Sequence, residues 1–590
     1  MKPGRNFILA IILAITFLAF ANTLSYQFTN WDDDRYIVLN PHIRDLSPSG
    51  IAAIFSSMDL NLYTPLTTLS FAVDYALWGL KPAGYHAVNL LLHLLNTWLV
   101  FLFCLRLSRS IVAAGIAACL FGVHPIHVES VAWITERKDL LFAFFALSAI
   151  LLYDAYRQTP GNRAARWAGI LMFLCSLLAK PQAVALPGGL LLMDCFRDNP
   201  FNVLQSLRRI WPFAALAVVL CGVTLYISVL NYDTGVYTYA YASTYAWWNR
   251  PFLATYGICF YIVKLILPFN LTATYACPPE INGMLPAVYY LAAFGMAGLF
   301  WATWRLWQRR KELAFGVIFF LFMLLPVIQI VPFGPVIVAD RYAYMSSIGI
   351  FLIAGWLVAE NIKWCPAWRY GWGAAVIFVV LGLALMTHAR NKVWADSITL
   401  FTDIIAKNPH IALAYHNRGV ALYQQGDYAG AEKDYNEAIR LSPRYVKAFL
   451  NRGILRARTQ DAAGALSDYN TALALDPCYA EVYYNRGSLF DAQGDTDRAL
   501  RDFNAAIRLN PQLEWARAGR GVIRAERGEY DQALVDLKCA LQLNPTNAIA
   551  YFNMGKVYLA LSNAAAARLC LENAYKCGLR PEALPRTNSP

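Results

Sequence analysis

Long apolar runs fill the first 387 residues of this 590-residue chain, and they restrict what it can fold into. A helix needs about 20 apolar residues to cross a bilayer. Twelve runs approach that length, at about 7–22, 86–105, 110–123, 139–155, 166–179, 183–195, 210–230, 251–268, 285–305, 313–331, 346–360 and 371–387. Hydrophobic residues make up 58% of the chain and charged residues only 15%. This composition excludes an ordinary soluble domain and predicts a multi-pass membrane protein.

Positively charged loops between the runs predict which face of the membrane each loop occupies. Lys and Arg concentrate in short loops at 106–109, 157–166, 197–209, 305–311 and 363–369. Such loops stay in the cytoplasm, and they cannot all do so if every run crosses. We therefore expect run 251–268 to be re-entrant or interfacial, which leaves eleven spans, an inner N-terminus and an outer C-terminus. The same loops account for the formal net charge of +12 without nucleic acid.

Unusual polar residues gather on the predicted outer face. We expect the first run to be a retained helix, and three adjacent acids follow it: Asp32, Asp33 and Asp34. They form either a solvated loop or a site of acid chemistry at the membrane surface. The second run carries a polar stripe on one helical face, made by His86, Asn89, His93 and Asn96. This stripe either joins helices by hydrogen bonds or lines a cavity.

The C-terminal part of the chain repeats itself every 34 residues. Members of the repeated "NRG", "GRG" and "NMG" motifs begin at Asn417, Asn451, Asn485, Gly519 and Asn553, and prolines recur in phase at Pro409, Pro443, Pro477, Pro511 and Pro545. This is the tetratricopeptide-repeat pattern, and it predicts about five helix pairs at 412–581 that stack into a superhelix with a concave face. Residues 397–409 resemble the second helix of an incomplete unit.

One position of the repeat predicts a binding surface. Asn417, Asn451, Asn485 and Asn553 take the same slot in the first helix of their repeats, so we expect a ladder that is interrupted at Gly519. A carboxamide donates and accepts hydrogen bonds and therefore matches a peptide backbone. The ladder resembles the one in the repeats of O-linked N-acetylglucosamine transferases; alternatively, each Asn bonds within its own repeat. The acids of the "DYN" and "DFN" runs are expected on solvated faces: Asp434, Asp468 and Asp502.

The order of the motifs resembles a known family. Trp-Asp-Asp at 31–33 is followed by "HPIHVESVAWITERKDLL" at 124–141, "KPQAVALP" at 180–187, "DRYAYMSSIG" at 340–349 and the repeats. Together they resemble the transmembrane and tetratricopeptide-repeat proteins, whose membrane half is of the GT-C glycosyltransferase type and related to the protein O-mannosyltransferases. The expected fold is all-α: a polytopic GT-C-like domain at 1–390, a connector with an incomplete repeat at 391–411, the repeats at 412–581 and a tail at 582–590.

The resemblance implies an activity. It implies an inverting glycosyltransferase that moves mannose or another hexose from a polyprenyl-phosphate carrier to Ser or Thr hydroxyls of exported proteins, with the repeats binding the acceptor polypeptide. The wording of the second motif is closer to bacterial members, which implies an inner membrane with the catalytic loops and repeats in the periplasm. Two alternatives stay open: a ligase or polymerase that acts on polysaccharide, and a non-catalytic scaffold anchored in the membrane.

The resemblance also implies roles for individual residues. The family's acidic pair corresponds to Asp32 and Asp33, of which we expect Asp33 to be the general base and Asp32 its orienting partner. Expected acceptor or sugar ligands are Glu129, His127 and His86. Expected cations for the lipid phosphate are Arg341, Lys264 and Arg137, with Lys138 and Lys180 as further candidates. No cofactor or metal set is predicted, since His124 and His127 lack a further convergent ligand; a divalent metal stays open.

Overall fold

The computed structural model describes residues 3–58, 62–159, 161–198, 200–230, 245–330 and 336–579, so the predicted tail lies outside the described residues. The described chain is helical, with an isolated β-bridge between Ile281 and Met284. The chain divides into two compact units, Met1–Pro409 and His410–Pro590. The all-α fold class predicted from the sequence is confirmed.

All twelve predicted apolar runs form helices in the first unit. In chain order, the helices of this unit are α1 (Pro3–Phe20), α2 (Pro48–Ser56), α3 (Pro65–Trp78), α4 (Pro82–Ser108), α5 (Ile111–Val123), α6 (Val128–Ala132), α7 (Arg137–Gln158), α8 (Arg163–Ala179), α9 (Leu186–Arg197), α10 (Val203–Leu230), α11 (Arg250–Ile266), α12 (Ala287–Arg309), α13 (Lys311–Leu324), α14 (Ala343–Trp364), α15 (Arg369–Asn391) and α16 (Ser397–Lys407). One-turn 3-10 helices at Pro125–His127 and Ile134–Glu136 flank α6.

Fewer helices than predicted are long enough to cross a bilayer. Within the described residues, seven helical stretches qualify by length and composition, and a pair bent by 49° at 111–132 raises the number to eight. The prediction of eleven spans is therefore wrong by this measure. The reason is that α8, α9 and α13 contain only 17, 12 and 14 residues. The run that was expected not to cross, α11, has 17 residues and is not among the seven. The chain is still a multi-pass membrane protein.

The polar stripe of α4 joins helices to one another. Asn89 donates to the carbonyl oxygen of Ile134 at 3.3 Å and accepts from Arg137 at 2.8 Å. His93 bonds the Tyr344 hydroxyl at 2.8 Å, and Asn96 donates to that hydroxyl at 3.2 Å. All three stripe residues are fully buried. Of the two interpretations, the hydrogen-bonded contact between helices is correct for this part of the stripe, because a buried polar group is stable only with partners.

Glycine allows a close helix crossing in the membrane unit. A Cβ atom on Gly349 of α14 would collide with the backbone carbonyl of Gly316 on α13, and a Cβ on Gly316 would meet the Gly349 carbonyl in turn. The two backbones therefore touch directly at this pair. Small residues at membrane helix crossings permit this kind of approach, which fixes α14 and the chain that leads into it.

The second unit consists of five helix pairs, as the 34-residue period predicts. The first helices of the pairs are α17 (Ala412–Gln425), α19 (Val446–Arg458), α21 (Ala480–Ala492), α23 (Glu514–Glu526) and α25 (Ala548–Ala560). The second helices are α18 (Tyr428–Leu441), α20 (Ala462–Leu475), α22 (Thr496–Leu509), α24 (Tyr530–Leu543) and α26 (Ala564–Lys576). Helix α16, in the segment that resembles half a repeat, is grouped with the first unit.

A buried ion pair joins the two helices of each of the first four repeats. The pairs are Arg418–Asp434, Arg452–Asp468, Arg486–Asp502 and Arg520–Asp536, each bidentate with distances of 2.6–3.0 Å. These aspartates are only 1–6% exposed. The expectation that the "DYN" acids lie on solvated faces is therefore wrong. The arginines of the second, third and fourth repeats also reach back to the preceding repeat, as when Arg486 donates to Asn470 at 2.7 Å.

The fifth repeat replaces this ion pair by an apolar pair. The positions of Arg and Asp are occupied there by Met554 and Cys570, both buried in one hydrophobic cluster. In the fourth repeat, the position of the Asn that accepts from the Arg of the next repeat is occupied by Lys538. All three members of the polar set change together, which is the pattern expected when a buried charge is stable only with its partners.

We predict that Arg486→Met destabilises the isolated repeat unit by about 3 kcal/mol, because it leaves Asp502 buried without a counter-charge. The double variant Arg486→Met with Asp502→Cys, which copies the fifth repeat, should recover to within about 1 kcal/mol of the wild type. Urea unfolding followed by circular dichroism measures both. A double variant as unstable as the single one would show that the ion pair itself, and not charge burial, determines stability at this position.

Candidate functional site

Asp33 is a buried anchor for the acidic loop. Its carboxylate is 1% exposed and accepts four hydrogen bonds. Thr29 donates its backbone N–H at 2.9 Å and its hydroxyl at 3.0 Å, and Thr135 donates its N–H at 3.0 Å and its hydroxyl. Burial raises the pKa of Asp33, and these bonds oppose the shift. With both oxygens engaged, Asp33 ties the loop after α1 to the turn before α7.

Asp32 differs from its neighbour in exposure. Its side chain is partly exposed, whereas Asp33 is buried. Burial in the site raises the pKa of Asp32 to about 7; the positive charge of Lys138 lowers it, and the negative charge of Glu136 raises it. A carboxylate with this pKa changes its protonation state near neutral pH. It therefore has the property that a general base at neutral pH requires.

A cluster of three acids and three cations adjoins Asp32 through Lys138 and Glu136, whose charges act on it. Arg341 binds Glu129 at 2.5 Å, and Lys180 binds Asp139 at 2.6 Å. The carboxylate of Glu136 lies between Lys138 at 3.3 Å, Lys180 at 3.5 Å and Arg341 at 3.6 Å. Burial lowers the pKa of Lys180, but Asp139 and Glu136 outweigh burial and raise it, so this cation stays charged. We call these six residues the charged cluster.

Aromatic rings cover the acidic loop on one side. Trp31 stacks on Phe401 of α16 with ring centroids 5.6 Å apart, and Trp133 stacks on Trp394 at 5.4 Å. Backbone bonds add to this cover: Gln27 donates to the Ala395 carbonyl at 2.9 Å. Asn30 likewise donates to the Ser397 hydroxyl at 2.9 Å. The segment after the last membrane helix is therefore part of the wall around Asp32.

The structure brings only some of the predicted site residues together. Glu129 and Arg341 lie in the charged cluster, but Arg137 does not. Arg137 is fully buried, pairs with Asp74 at 2.5 Å and donates to Asn89. Lys264 donates to the Phe269 carbonyl at 2.5 Å on the surface. Neither contacts the carboxylate of Glu136, so of the cations predicted to bind phosphate only Arg341 and the further candidates Lys138 and Lys180 lie in the charged cluster.

The predicted histidine ligands lie in the helix packing. His127 is fully buried and bonds the Phe121 carbonyl at 2.8 Å and the Ser347 hydroxyl at 3.1 Å. His86 is 1% exposed and packs edge-on against Tyr26. Both were predicted as acceptor or sugar ligands, and burial among helices leaves them no face for a ligand. Among the described residues, no group of three or more His, Cys, Asp or Glu side chains is arranged to hold a metal ion.

The asparagines of the predicted ladder already make contacts within the repeats. Asn451 donates to Nε2 of His416 at 2.8 Å, and Nδ1 of His416 lies 2.9 Å from the side-chain oxygen of Asn417. Burial lowers the pKa of His416 to about 4, so this bridge holds a neutral imidazole. Asn485 and Asn553 each donate one amide N–H to the carbonyl four residues earlier. Each carboxamide has a second N–H, so these contacts use part of its capacity.

Sequence reasoning missed Glu136 and Asp139 as members of the site. Both stand in "TERKD", where four charged residues follow each other at the start of an apolar run. Charges are rare inside membrane segments and mark functional positions by default. The four successive charges at the start of an apolar run were therefore the sequence feature that could have identified Glu136 and Asp139. Nothing in the sequence indicates that Phe401 and Trp394 would cover the acidic loop.

Comparison with curated proteins finds relatives along both units. The chain is 25% identical over 521 residues to Protein O-mannosyl-transferase Tmtc1 of Drosophila melanogaster, covering 71% of this chain and 60% of that protein. It is 26% identical over 415 residues to Protein O-mannosyl-transferase TMTC3 of Homo sapiens, covering 64% of this chain and 44% of that protein. A third, Protein O-mannosyl-transferase tmtc2 of Xenopus laevis, is 32% identical over 210 residues, covering 34% and 25%. Its relatives are protein O-mannosyl-transferases. The resemblance predicted from the motifs is confirmed, and the chain spans 48–62% of the length of the first relatives it matches.

The repeats also match known models and structures. The family model "Tetratricopeptide repeat" matches residues 412–445 and 480–513, and the model "TPR repeat" matches 521–562. Among solved structures, YrrB, described as a TPR protein with an unusual peptide-binding site, is 23% identical with a TM-score of 0.26, covering 31% of this chain and 94% of that one. PilF of Pseudomonas aeruginosa is 20% identical with a TM-score of 0.27, covering 29% and 77%.

We predict that Phe401→Ala loosens the acidic loop, because it removes the ring on which Trp31 stacks. Amide hydrogen exchange across residues 26–33 should accelerate roughly tenfold in the full chain, as expected for a local loss of 1–2 kcal/mol. Ala406→Ser, an exposed change on the same helix, is the matched control and should leave exchange unaltered. Equal exchange rates in the Phe401 variant and the wild type would mean that α16 does not hold this loop.

Proposed function

We propose that this chain is an inverting membrane glycosyltransferase of the GT-C type. It moves a hexose, with mannose as the first candidate, from a polyprenyl-phosphate carrier to Ser or Thr hydroxyls of exported proteins. The observation that carries the proposal is Asp32, a partly exposed carboxylate beside the charged cluster, in a chain similar to protein O-mannosyl-transferases. The proposed location is a bacterial inner membrane, with this site and the repeats on the periplasmic side.

In the proposed reaction, Asp32 is the general base. It takes the proton of the acceptor hydroxyl while that oxygen attacks the anomeric carbon from the side opposite the phosphate. The bond between the anomeric carbon and the phosphate oxygen breaks, and its electron pair leaves with the polyprenyl phosphate. One displacement inverts the anomeric centre. The leaving group is already a phosphate, so the reaction needs no general acid.

This assignment exchanges the roles that we expected for the two acids. Asp33 accepts four hydrogen bonds and is buried, so its lone pairs are engaged and a hydroxyl cannot reach it. Asp32 is partly exposed and has a pKa of about 7. We therefore assign proton transfer to Asp32 and positioning of the loop to Asp33. The positive charge needed to stabilise the departing phosphate is assigned to Arg341 of the charged cluster.

The repeats are proposed to hold the acceptor as an extended polypeptide. Support comes from the four asparagines in equivalent positions, each half-buried in the first helix of its repeat. Because a carboxamide bonds the peptide backbone, such a row would accept many sequences. Broad acceptance suits a transferase that modifies many exported chains. The bridge through His416 would keep the first two carboxamides oriented before a peptide arrives.

We predict that Asp32→Asn lowers transfer of hexose from polyprenyl phosphate to a Ser/Thr peptide by about a thousandfold, because it removes the base. Labelled peptide after incubation with purified protein is the readout. Asp34→Asn, which removes the next acid along the chain, is the matched control and should change the rate less than about threefold. Transfer to glycan and never to peptide would instead indicate a polysaccharide ligase.

The pH dependence of the wild type gives a second readout of the same assignment. Since Asp32 must be ionised to accept a proton, the rate should fall as pH decreases through about 7, the pKa raised by burial, and level off above it. The residual rate of Asp32→Asn should lack this acid limb. If the rate of Asp32→Asn still falls at low pH in the same way, a group other than Asp32 is the base. Asp33→Asn should mainly reduce the yield of folded protein.

We predict that replacing Asn451 and Asn485 together by alanine weakens binding of an extended Ser/Thr peptide roughly tenfold, because each substitution removes a hydrogen bond to the peptide backbone. Fluorescence anisotropy with a labelled peptide measures the affinity. Ser467→Ala, an exposed change on a second helix, should leave affinity unaltered. Unchanged binding in the double variant, with a normal melting curve, would limit these asparagines to contacts within the repeats.

A further inference from the structure

Three cations converge on one carboxylate in the charged cluster. We propose that Lys138, Lys180 and Arg341 form a cradle for a phosphate group, and that the carboxylate of Glu136 occupies this cradle until a phosphate ester replaces it. The inference rests on the proposed function, because the polyprenyl carrier of the donor supplies the phosphate. It adds an internal competitor, Glu136, to the cations that were expected to bind the phosphate.

The contacts of Glu136 are numerous but loose. Its Oε1 lies 3.3 Å from Nζ of Lys138 and 3.6 Å from Nε of Arg341, and its Oε2 lies 3.5 Å from Nζ of Lys180. Charge-assisted hydrogen bonds are normally about 2.7–2.9 Å long. Glu136 is therefore shared among three cations without a short bond to any of them. A phosphate, with oxygens pointing in three directions, can offer one oxygen to each cation.

The cradle keeps its shape without Glu136, because each cation has another support. Lys180 binds Asp139 at 2.6 Å, and Asp139 also accepts from Ser130 at 3.1 Å. Arg341 donates to Glu129 through both its guanidinium at 2.5 Å and its backbone N–H at 3.0 Å. The ammonium of Lys138 lies 4.8 Å from the ring centroid of Tyr36. Displacing Glu136 would therefore leave Lys180 and Arg341 paired with other carboxylates, and it would leave Lys138 beside the Tyr36 ring.

The position of Glu136 allows a ligand to enter the cradle and allows the Glu136 side chain to leave it. The side chains of Lys180 and Arg341 are 14% and 15% exposed, whereas that of Glu136 is 4% exposed. Lys180 and Arg341 thus reach the edge of the cluster, whereas Lys138, with 5% of its side chain exposed, lies as deep as Glu136. Glu136 ends the one-turn 3-10 helix Ile134–Glu136, so its side chain can rotate without breaking a longer helix.

Two substitutions that remove the same charge test the cradle. Glu136→Gln should bind polyprenyl monophosphate in nanodiscs about tenfold more tightly than the wild type, because the competing carboxylate is gone. Asp139→Asn removes one negative charge from the same cluster, but it removes the support of Lys180, so its affinity should not increase. Equal tightening in both variants would mean that net charge alone acts, and it would overturn the placement of Glu136 in the cradle.

Further probes identify what the cradle recognises. Polyprenol without phosphate should bind equally to the wild type and Glu136→Gln, and a difference there would overturn the proposal. Inorganic phosphate is the probe that distinguishes a free phosphate ligand from a lipid-linked one. Tighter binding of inorganic phosphate or of polyprenyl monophosphate by Glu136→Gln supports the cradle. If neither phosphate binds more tightly, the proposal is overturned. Weaker binding in Glu136→Gln would mean that the carboxylate holds the cations in place, which also overturns it.

A second variant and a comparison with the transfer reaction complete the test. If Glu136→Gln does not fold, Glu136→Asp keeps the charge but withdraws the carboxylate, and it should tighten binding about threefold; an unchanged affinity would overturn the proposal. The outcome for the phosphate cradle can also be distinguished from the outcome for the proposed glycosyl transfer. Tighter phosphate binding in Glu136→Gln, together with no transfer of sugar by the wild type, would retain the cradle and reject the glycosyltransferase.

Discussion

The four hydrogen bonds on Asp33 connect two parts of the chain that are far apart in sequence. Thr29 belongs to the loop after α1, and Thr135 belongs to the turn before α7, 102 residues from Asp33. Asp32 precedes this anchor by one residue, and Glu136 follows Thr135 by one residue. The proposed base and the proposed phosphate cradle therefore share a single support. A buried carboxylate with four donors is also costly to disturb, which keeps the distance between these two groups constant.

The features predicted correctly from the sequence are those that depend on local periodicity. Twelve apolar runs became twelve helices, and a 34-residue period became five helix pairs. The number of spans was wrong because run length was judged by composition, and helices such as α9 and α13 end within 14 residues or fewer. Hydrophobicity determines which residues avoid water. It does not determine whether a short helix crosses the bilayer or packs inside the protein.

The site was predicted only in part, because its pairings join residues distant in sequence. Arg341 meets Glu129 across 212 residues, and no spacing rule predicts that contact. Arg137 was equally plausible from its position beside Lys138, yet it points to Asp74 and is fully buried. Whether a cation in such a run faces a ligand or a structural partner depends on the helix face that it occupies. That face becomes known only when the surrounding helices are in place.

The same rule on buried charge separates structural from functional ions in both units. In the repeats, Arg486 and Asp502 form a short bidentate pair, and the fifth repeat loses both members together. Arg137 and Asp74 form a short ion pair in the membrane unit. A closed pair has its charges satisfied and offers nothing to a ligand. Glu136, by contrast, shares three cations at 3.3–3.6 Å, and in our proposal a phosphate takes its place among them.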